Sequence, residues 1–141
     1  MLLLDTAINY PAVLVASTAM MAVGFLWYSP ILFAKSWMKL SGITDKKIAD
    51  AKKKGMGKSY AIMAVGAVVS SFVLAHFVNF AAAYTPLDGA LVGFWLWLGT
   101  IAPASTSMVL FEGKPWKLYL LKVGHVLTGM MVAGAILAVW V

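Results

Sequence analysis

Four long apolar stretches, at residues 8–28, 59–83, 87–110 and 118–141, decide most of what this chain can become. The first carries no charged residue, and the others carry one or two ionisable groups each. Wound as a helix at about 1.5 Å per residue, residues 11–28 alone rise about 27 Å, close to the thickness of a bilayer's hydrocarbon core. A backbone in that medium has no water to bond, so it must close its own hydrogen bonds, and a helix does so within one segment. The rest of the composition agrees. Of 141 residues, 62% are hydrophobic and 11% charged, whereas a soluble domain carries about 25% charged residues. The expectation is one all-α domain over residues 1–141, a polytopic membrane protein. Its four transmembrane helices would form two hairpins, with a short cytoplasmic interfacial helix. The spans are expected at about 9–29, 59–82, 87–110 and 118–140, and the basic loop at 31–58.

Local signals sharpen these limits. Asn9 can cap the first helix, Pro11 falls in its first turn where a missing N–H costs nothing, and Pro30 disfavours helix at Ser29. No basic segment precedes the first run, and Trp27-Tyr28 followed by lysines reads as a stop-transfer end rather than a secretory signal. In the basic loop, Ile31 to Phe33, Trp37, Met38 and Leu40 recur at roughly helical spacing around Lys35 and Lys39. That pattern predicts a helix lying in the interface, with its tryptophan at head-group depth and its lysines snorkelling. Thr44 or Asp45 can cap a second short helix running to Lys54, with Gly55 and Gly57 to end it. Pro103, inside the third span and just before Ser105-Thr106-Ser107, predicts a kink with its freed carbonyl bonded by a hydroxyl or water.

Charge sets the orientation. Eleven lysines and no arginine give a net charge of +6, and eight of the lysines lie in residues 31–58. Two more lie in the 111–117 turn, and the 84–88 turn has none. The positive-inside rule then places both termini outside and the lysine-rich loops in the cytoplasm. Because the lysines flank membrane segments, anionic lipid head groups are the expected partners and nucleic acid is not. Trp27, Tyr28, Trp37, Lys35, Lys39, Lys52, Lys53, Lys54 and Trp116 form the expected interfacial set, with Lys52 to Lys54 read as a solvated, lipid-facing patch.

Polar groups within lipid are costly and so are candidates for function. His125, Lys122, Glu112 and Thr128 gather toward the inner end of the fourth helix, and His125 can change charge near neutral pH. A Lys122–Glu112 pair across the turn is a structural alternative. His76 and Asn79 form a second candidate near the outer end of the second helix. Lying in opposite halves of the membrane, the two histidines should not meet, and with no cysteine there is no expected metal site or cofactor. The nine methionines fall without a repeated pattern and read as core filling. No phosphate-binding glycine loop, nucleophile elbow or paired intramembrane carboxylate appears, so no enzyme is expected. Small residues recur at helix-contact spacing: Ala67, Ser71 and Ala75; Gly89 and Gly93; Gly129 and Ala133; Gly134 and Ala138. Such faces bring helices close, within a bundle or between subunits, and a homo-oligomer is expected.

Residues 24–37 read GFLWYSPILFAKSW. This stretch resembles the GxxWYSPxLFxKxW signature of a bacterial and archaeal membrane family, domain of unknown function 1761, with Ala34 where the family pattern has glycine. Residues 86–99, 110–115 and 134–140 extend the likeness over nearly the whole chain. The resemblance implies a small four-helix membrane protein with no assigned activity, and it supplies no catalytic residues. Within the chain, residues 32–40 and 110–118 also resemble one another, which fits either two parallel hairpins or the aromatic and lysine that any cytoplasmic exit favours. Two function classes follow. One is an oligomeric transporter or pore for a small solute, motivated by the polar groups on apolar helices. The other is a non-catalytic scaffold or accessory subunit with a lipid-binding cytoplasmic surface, motivated by the aromatic-lysine loop.

Overall fold

The structure, a computed structural model, describes residues 7–140. The chain-end positions 1–6 and 141, and with them the expected siting of the extreme termini, lie outside the described residues.

Capping residues and prolines set several of the helix ends. In α1 (Tyr10–Trp27) the Asn9 side chain accepts from the Ala12 N–H at 3.1 Å, and its amide donates to the Trp140 carbonyl at 2.8 Å. One residue therefore starts the first helix and ties it to the end of the last. Replacing Asn9 by Ala should cost about 1 kcal/mol in lost capping alone. Asn9→Asp should keep the cap while losing the donation to Trp140, leaving a midpoint between the two. Thermal unfolding in detergent measures this, and equal midpoints for all three proteins would show that the cap contributes nothing.

Helix α2 (Ala34–Ser41) and helix α3 (Asp45–Lys54) follow. The basic loop thus holds two short helices, the second capped by the Thr44 hydroxyl accepting from the Lys47 N–H at 3.2 Å. Gly42 and Gly55, at φ +70° and +86°, close the two helices in backbone conformations that side chains other than glycine resist. Helix α4 (Gly57–Phe80) is the second span. The third begins as α5 (Pro86–Leu96), capped by the Thr85 hydroxyl.

The expected kink at Pro103 proves wider than a single bend. A π turn, Trp97–Ile101, precedes α6 (Ala102–Ala104), and a further break separates α6 from α7 (Ser107–Leu110). Proline lacks the N–H that would bond the carbonyl one turn earlier, and a π turn is one way a helix absorbs that loss. Hydroxyls bond carbonyls on either side of the break, though not Gly99 O one turn before the proline: Thr106 donates to Pro103 O at 2.7 Å, Thr100 to Leu96 O, and Tyr119 of the next helix to Ala102 O at 2.7 Å. Such bonds help to satisfy a lipid-embedded backbone. Helix α8 (Trp116–Val139) completes the chain. Four spans, Tyr10–Trp27, Gly57–Phe80, Pro86–Leu110 and Trp116–Val139, are long and apolar enough to cross a membrane.

Helix α8 is the axis of the bundle, packed against α5, α1 and α4, while α1 also packs on α4. The neighbours α1–α4 and α5–α8 are the two expected hairpins. Their shared core is built from small residues, with Ala12, Val13, Ala16, Ala75, Ala133 and Ala138 all buried around Leu74 and Leu137. Small side chains let backbones approach, which replaces the missing hydrophobic drive between helices in lipid with close packing. The glycines carry this furthest. A Cβ on Gly89 would strike the Gly134 carbonyl, one on Gly134 would strike the Gly89 carbonyl, and one on Gly93 would strike the Met130 carbonyl. Large apolar side chains instead point outward, among them Ile62, Val65, Val69 and Phe77 of α4 and Trp95 of α5. The internal likeness between residues 32–40 and 110–118 does not extend to local structure. The first stretch folds mostly as α2, the second as a turn running into α8.

Candidate functional site

The lysine-bearing end of the bundle is shaped by the Trp-Tyr-Ser-Pro turn. The Tyr28 N–H bonds Gly24 O at 3.1 Å, the Phe33 N–H reaches back to Trp27 O at 3.1 Å, and the Ala34 N–H reaches Ser29 O at 3.1 Å. The Ser29 hydroxyl donates to Leu26 O at 2.6 Å. Pro30 cannot continue the helix, and these bonds fold the chain sharply so that α2 comes to lie against α8. Two aromatic contacts fix the bend: Phe33 on Trp27 with ring centroids 4.8 Å apart, and Trp37 on Tyr28 at 5.3 Å. Trp27 also donates its indole N–H to Leu121 O at 3.0 Å, and Trp97 of the π turn does the same to Val123 O at 2.8 Å. Helix α8 is thus gripped at neighbouring carbonyls by the first and third spans.

Beyond the bend, α3 stands off the bundle and leaves a cavity of about 690 Å³ between itself, α1, α2, α4 and α8. Lys47 and Lys52 of α3 and Lys122 and His125 of α8 supply its basic groups. Tyr28, Trp37 and Tyr60 supply aromatic rings, and Phe25, Ile43, Ile48, Met56 and Met63 apolar wall. No acidic residue lines it. His125 reaches the cavity because position 24 is glycine: a Cβ there would lie 3.0 Å from the imidazole Nε2. The half-buried ring packs edge-on to Tyr28 with centroids 5.2 Å apart. Lys47 also donates to Gly42 O at 3.2 Å, which holds the first turn of α3 to the end of α2.

The other sequence candidates divide. Thr128 donates to Gly124 O of its own helix at 2.9 Å, and Glu112 is exposed in its turn. Neither lines the cavity. Lys35, Lys39, Lys53 and Lys54 are exposed outside it, as is Trp116, which stacks edge-on with Tyr119 at 5.4 Å. His76 bonds Phe72 O at 2.8 Å between the rings of Phe72 and Phe80. Asn79 donates to Ala7 O at 3.0 Å and lines a smaller recess of about 300 Å³, with Asn9 and Trp140, at the opposite end of the bundle. The histidines therefore sit at opposite ends. Among the described residues no three metal-ligating side chains gather.

Lys47, Ile48 and Tyr60 were not among the sequence candidates, though the first two left a signal. Lys47, Ile48, Ala51 and Lys52 follow an i, i+1, i+4, i+5 spacing that puts them on one face of a helix. A second signal lay in the WYSP motif itself, whose Gly24, Tyr28 and Trp37 all line the cavity. A family model described as "Protein of unknown function (DUF1761)" matches residues 11–138. No curated protein and no solved structure matches the chain.

Proposed function

The chain belongs to the DUF1761 family of proteins of unknown function, and from its geometry we propose a non-catalytic, lipid-associated membrane protein that prefers anionic lipid at its lysine-bearing end. One observation carries this reading: three lysines and a histidine converge with aromatic rings on that end, with no carboxylate among the cavity-lining residues to neutralise them. Exposed Lys35, Lys39, Lys53 and Lys54 surround the same end. Aromatic rings prefer head-group depth, and basic side chains near an anionic surface contribute about 1 kcal/mol each. In this reading the lysine-bearing end faces the cytoplasm of the cell membrane. A solute path is the less supported alternative, because a packed core of alanines with Val13, Leu74 and Leu137 lies between the two recesses.

The test is tryptophan quenching by brominated lipid in reconstituted bilayers. With Trp95 and Trp140 replaced by Phe, the remaining tryptophans, Trp27, Trp37, Trp97 and Trp116, report on the lysine-bearing end. Brominated phosphatidylglycerol should associate several-fold more strongly than brominated phosphatidylcholine, with the preference weakening as salt is raised. Equal association of the two lipids would end the proposal. Release of trapped ions or small solutes by the same vesicles would favour the transport reading instead.

A further inference from the structure

Lys52, Lys53 and Lys54 are consecutive in sequence but not equivalent in space. Lys52 lines the cavity, and Lys53 and Lys54 do not; likewise Lys47 lines it and Lys46 does not. The turn of α3 puts Lys47 and Lys52 on one face, i and i+5, and turns the others away. The basic groups inside also come from two separate elements, α3 and α8, around a space of about 690 Å³. That volume falls within the range of small-molecule sites, roughly 300–1,000 Å³. Its walls are of two kinds, the basic Lys47, Lys52, Lys122 and His125 and the apolar or aromatic Phe25, Tyr60 and Met63. Phe25 of α1 meets Tyr60 of α4 edge-on at 5.6 Å, and these two residues and Met63 are exposed.

We propose that this cavity is a discrete site for one anionic phospholipid. Its phosphate lies among Lys47, Lys52 and Lys122, and an acyl chain leaves along the Phe25–Tyr60–Met63 seam. The inference rests on the anionic-lipid reading above and goes beyond it, from a charged end to one bound molecule. Charge complementarity selects the head group, since three ammonium groups and no carboxylate favour an anion. The apolar wall of Phe25, Tyr60 and Met63 beside the lysines suits a ligand with both a charged head and an acyl chain, which a free phosphate lacks.

The experiment compares two triple variants that remove the same charge. K47Q/K52Q/K122Q empties the cavity of lysine, and K46Q/K53Q/K54Q takes three exposed lysines from α3 outside it. All six lysines are exposed, so both proteins should fold, which gel filtration and circular dichroism in detergent check. Native mass spectrometry of the detergent-solubilised protein titrated with dioleoyl phosphatidylglycerol should show one lipid per chain. Affinity should fall at least tenfold in the cavity variant and less than threefold in the outer variant, with dioleoyl phosphatidylcholine binding weakly to all three proteins. Glycerol phosphate, a head group without a tail, should not displace the lipid. Equal losses in the two variants would overturn the discrete site while leaving the surface preference standing. Displacement by glycerol phosphate would overturn the lipid assignment in favour of a phosphate site. If the unaltered protein fails to discriminate phosphatidylglycerol from phosphatidylcholine even in bilayers, the underlying lipid reading fails first.

Discussion

Gly93→Leu is expected to destabilise the folded bundle severely, whereas Gly66→Leu leaves it intact. Gly93 lies on α5 with the backbone of α8 directly opposite, and a Cβ there would overlap the Met130 carbonyl. The obstructing atom belongs to a backbone, so no side-chain rotation relieves the clash, and the helices must separate. Overfilling a core typically costs 1–3 kcal/mol. With a whole leucine against rigid backbone the cost should be on the order of 3 kcal/mol or more, a large share of a typical domain's stability. Gly89→Leu should behave alike, because Gly89 and Gly134 block each other symmetrically. Gly66 on α4 has open space where its Cβ would go. Leucine there should shift stability by no more than about 0.5 kcal/mol. Circular dichroism melts with size-exclusion profiles in one detergent decide the matter. A Gly93→Leu protein that melts and elutes like the parent would refute the packing described for α5 and α8. A protein that stays folded but changes oligomeric state would move this glycine face to a contact between subunits.

Trp27→Ala should be the most damaging single change at the lysine-bearing end. The indole packs on Phe33, approaches the His125 ring with centroids 6.4 Å apart, sits against Gly124, and bonds Leu121 O. Full truncation of a buried aromatic costs about 3–5 kcal/mol, and Trp27 is half-buried, so about 2–3 kcal/mol is expected. Trp27→Phe keeps most of the packing and gives up the hydrogen bond, at about 1 kcal/mol. The functional consequence separates the variants further. In the alanine protein the WYSP bend loses its anchor to α8, Tyr28 and Trp37 lose their placement, and phosphatidylglycerol affinity should fall about tenfold. In the phenylalanine protein it should fall less than threefold. Thermal midpoints and lipid titrations on the same preparations test both statements. Equal lipid affinity in the alanine and parent proteins would show that the bend does not position the cavity wall.

Most of the scaffold could be read from single residues, because the rules that make it are local. Asn9, Pro11 and Pro30 bound the first helix, and Thr44 with Gly55 bounds α3. Capping and proline geometry act within three or four residues and need no knowledge of what lies opposite. Pro103 announced a disturbance for the same reason. Its form, a π turn before and a break after, includes a bond from Tyr119 of another helix to Ala102 O, which no local signal contains. The site was legible in part. His125 and Lys122 stood out because polar groups on an apolar helix are conspicuous, and both line the cavity. Glu112 and Thr128 stood out equally and line nothing there, since a residue's neighbours along one helix say little about what faces it from another.

Hydrophobic length alone determined that this chain forms four apolar helices, because a backbone in lipid has few ways to satisfy its hydrogen bonds and each way has a fixed span. The small-residue spacings likewise determined that helices would meet closely. Which helices meet was decided only in three dimensions. Gly89 and Gly93 face α8 of the same chain, and the three-residue run Lys52 to Lys54 is divided by the turn of α3 into one cavity lysine and two outer ones. The apolar run is a one-dimensional property and survives any packing. A facing partner is a property of two surfaces brought together, and no single run of sequence contains both.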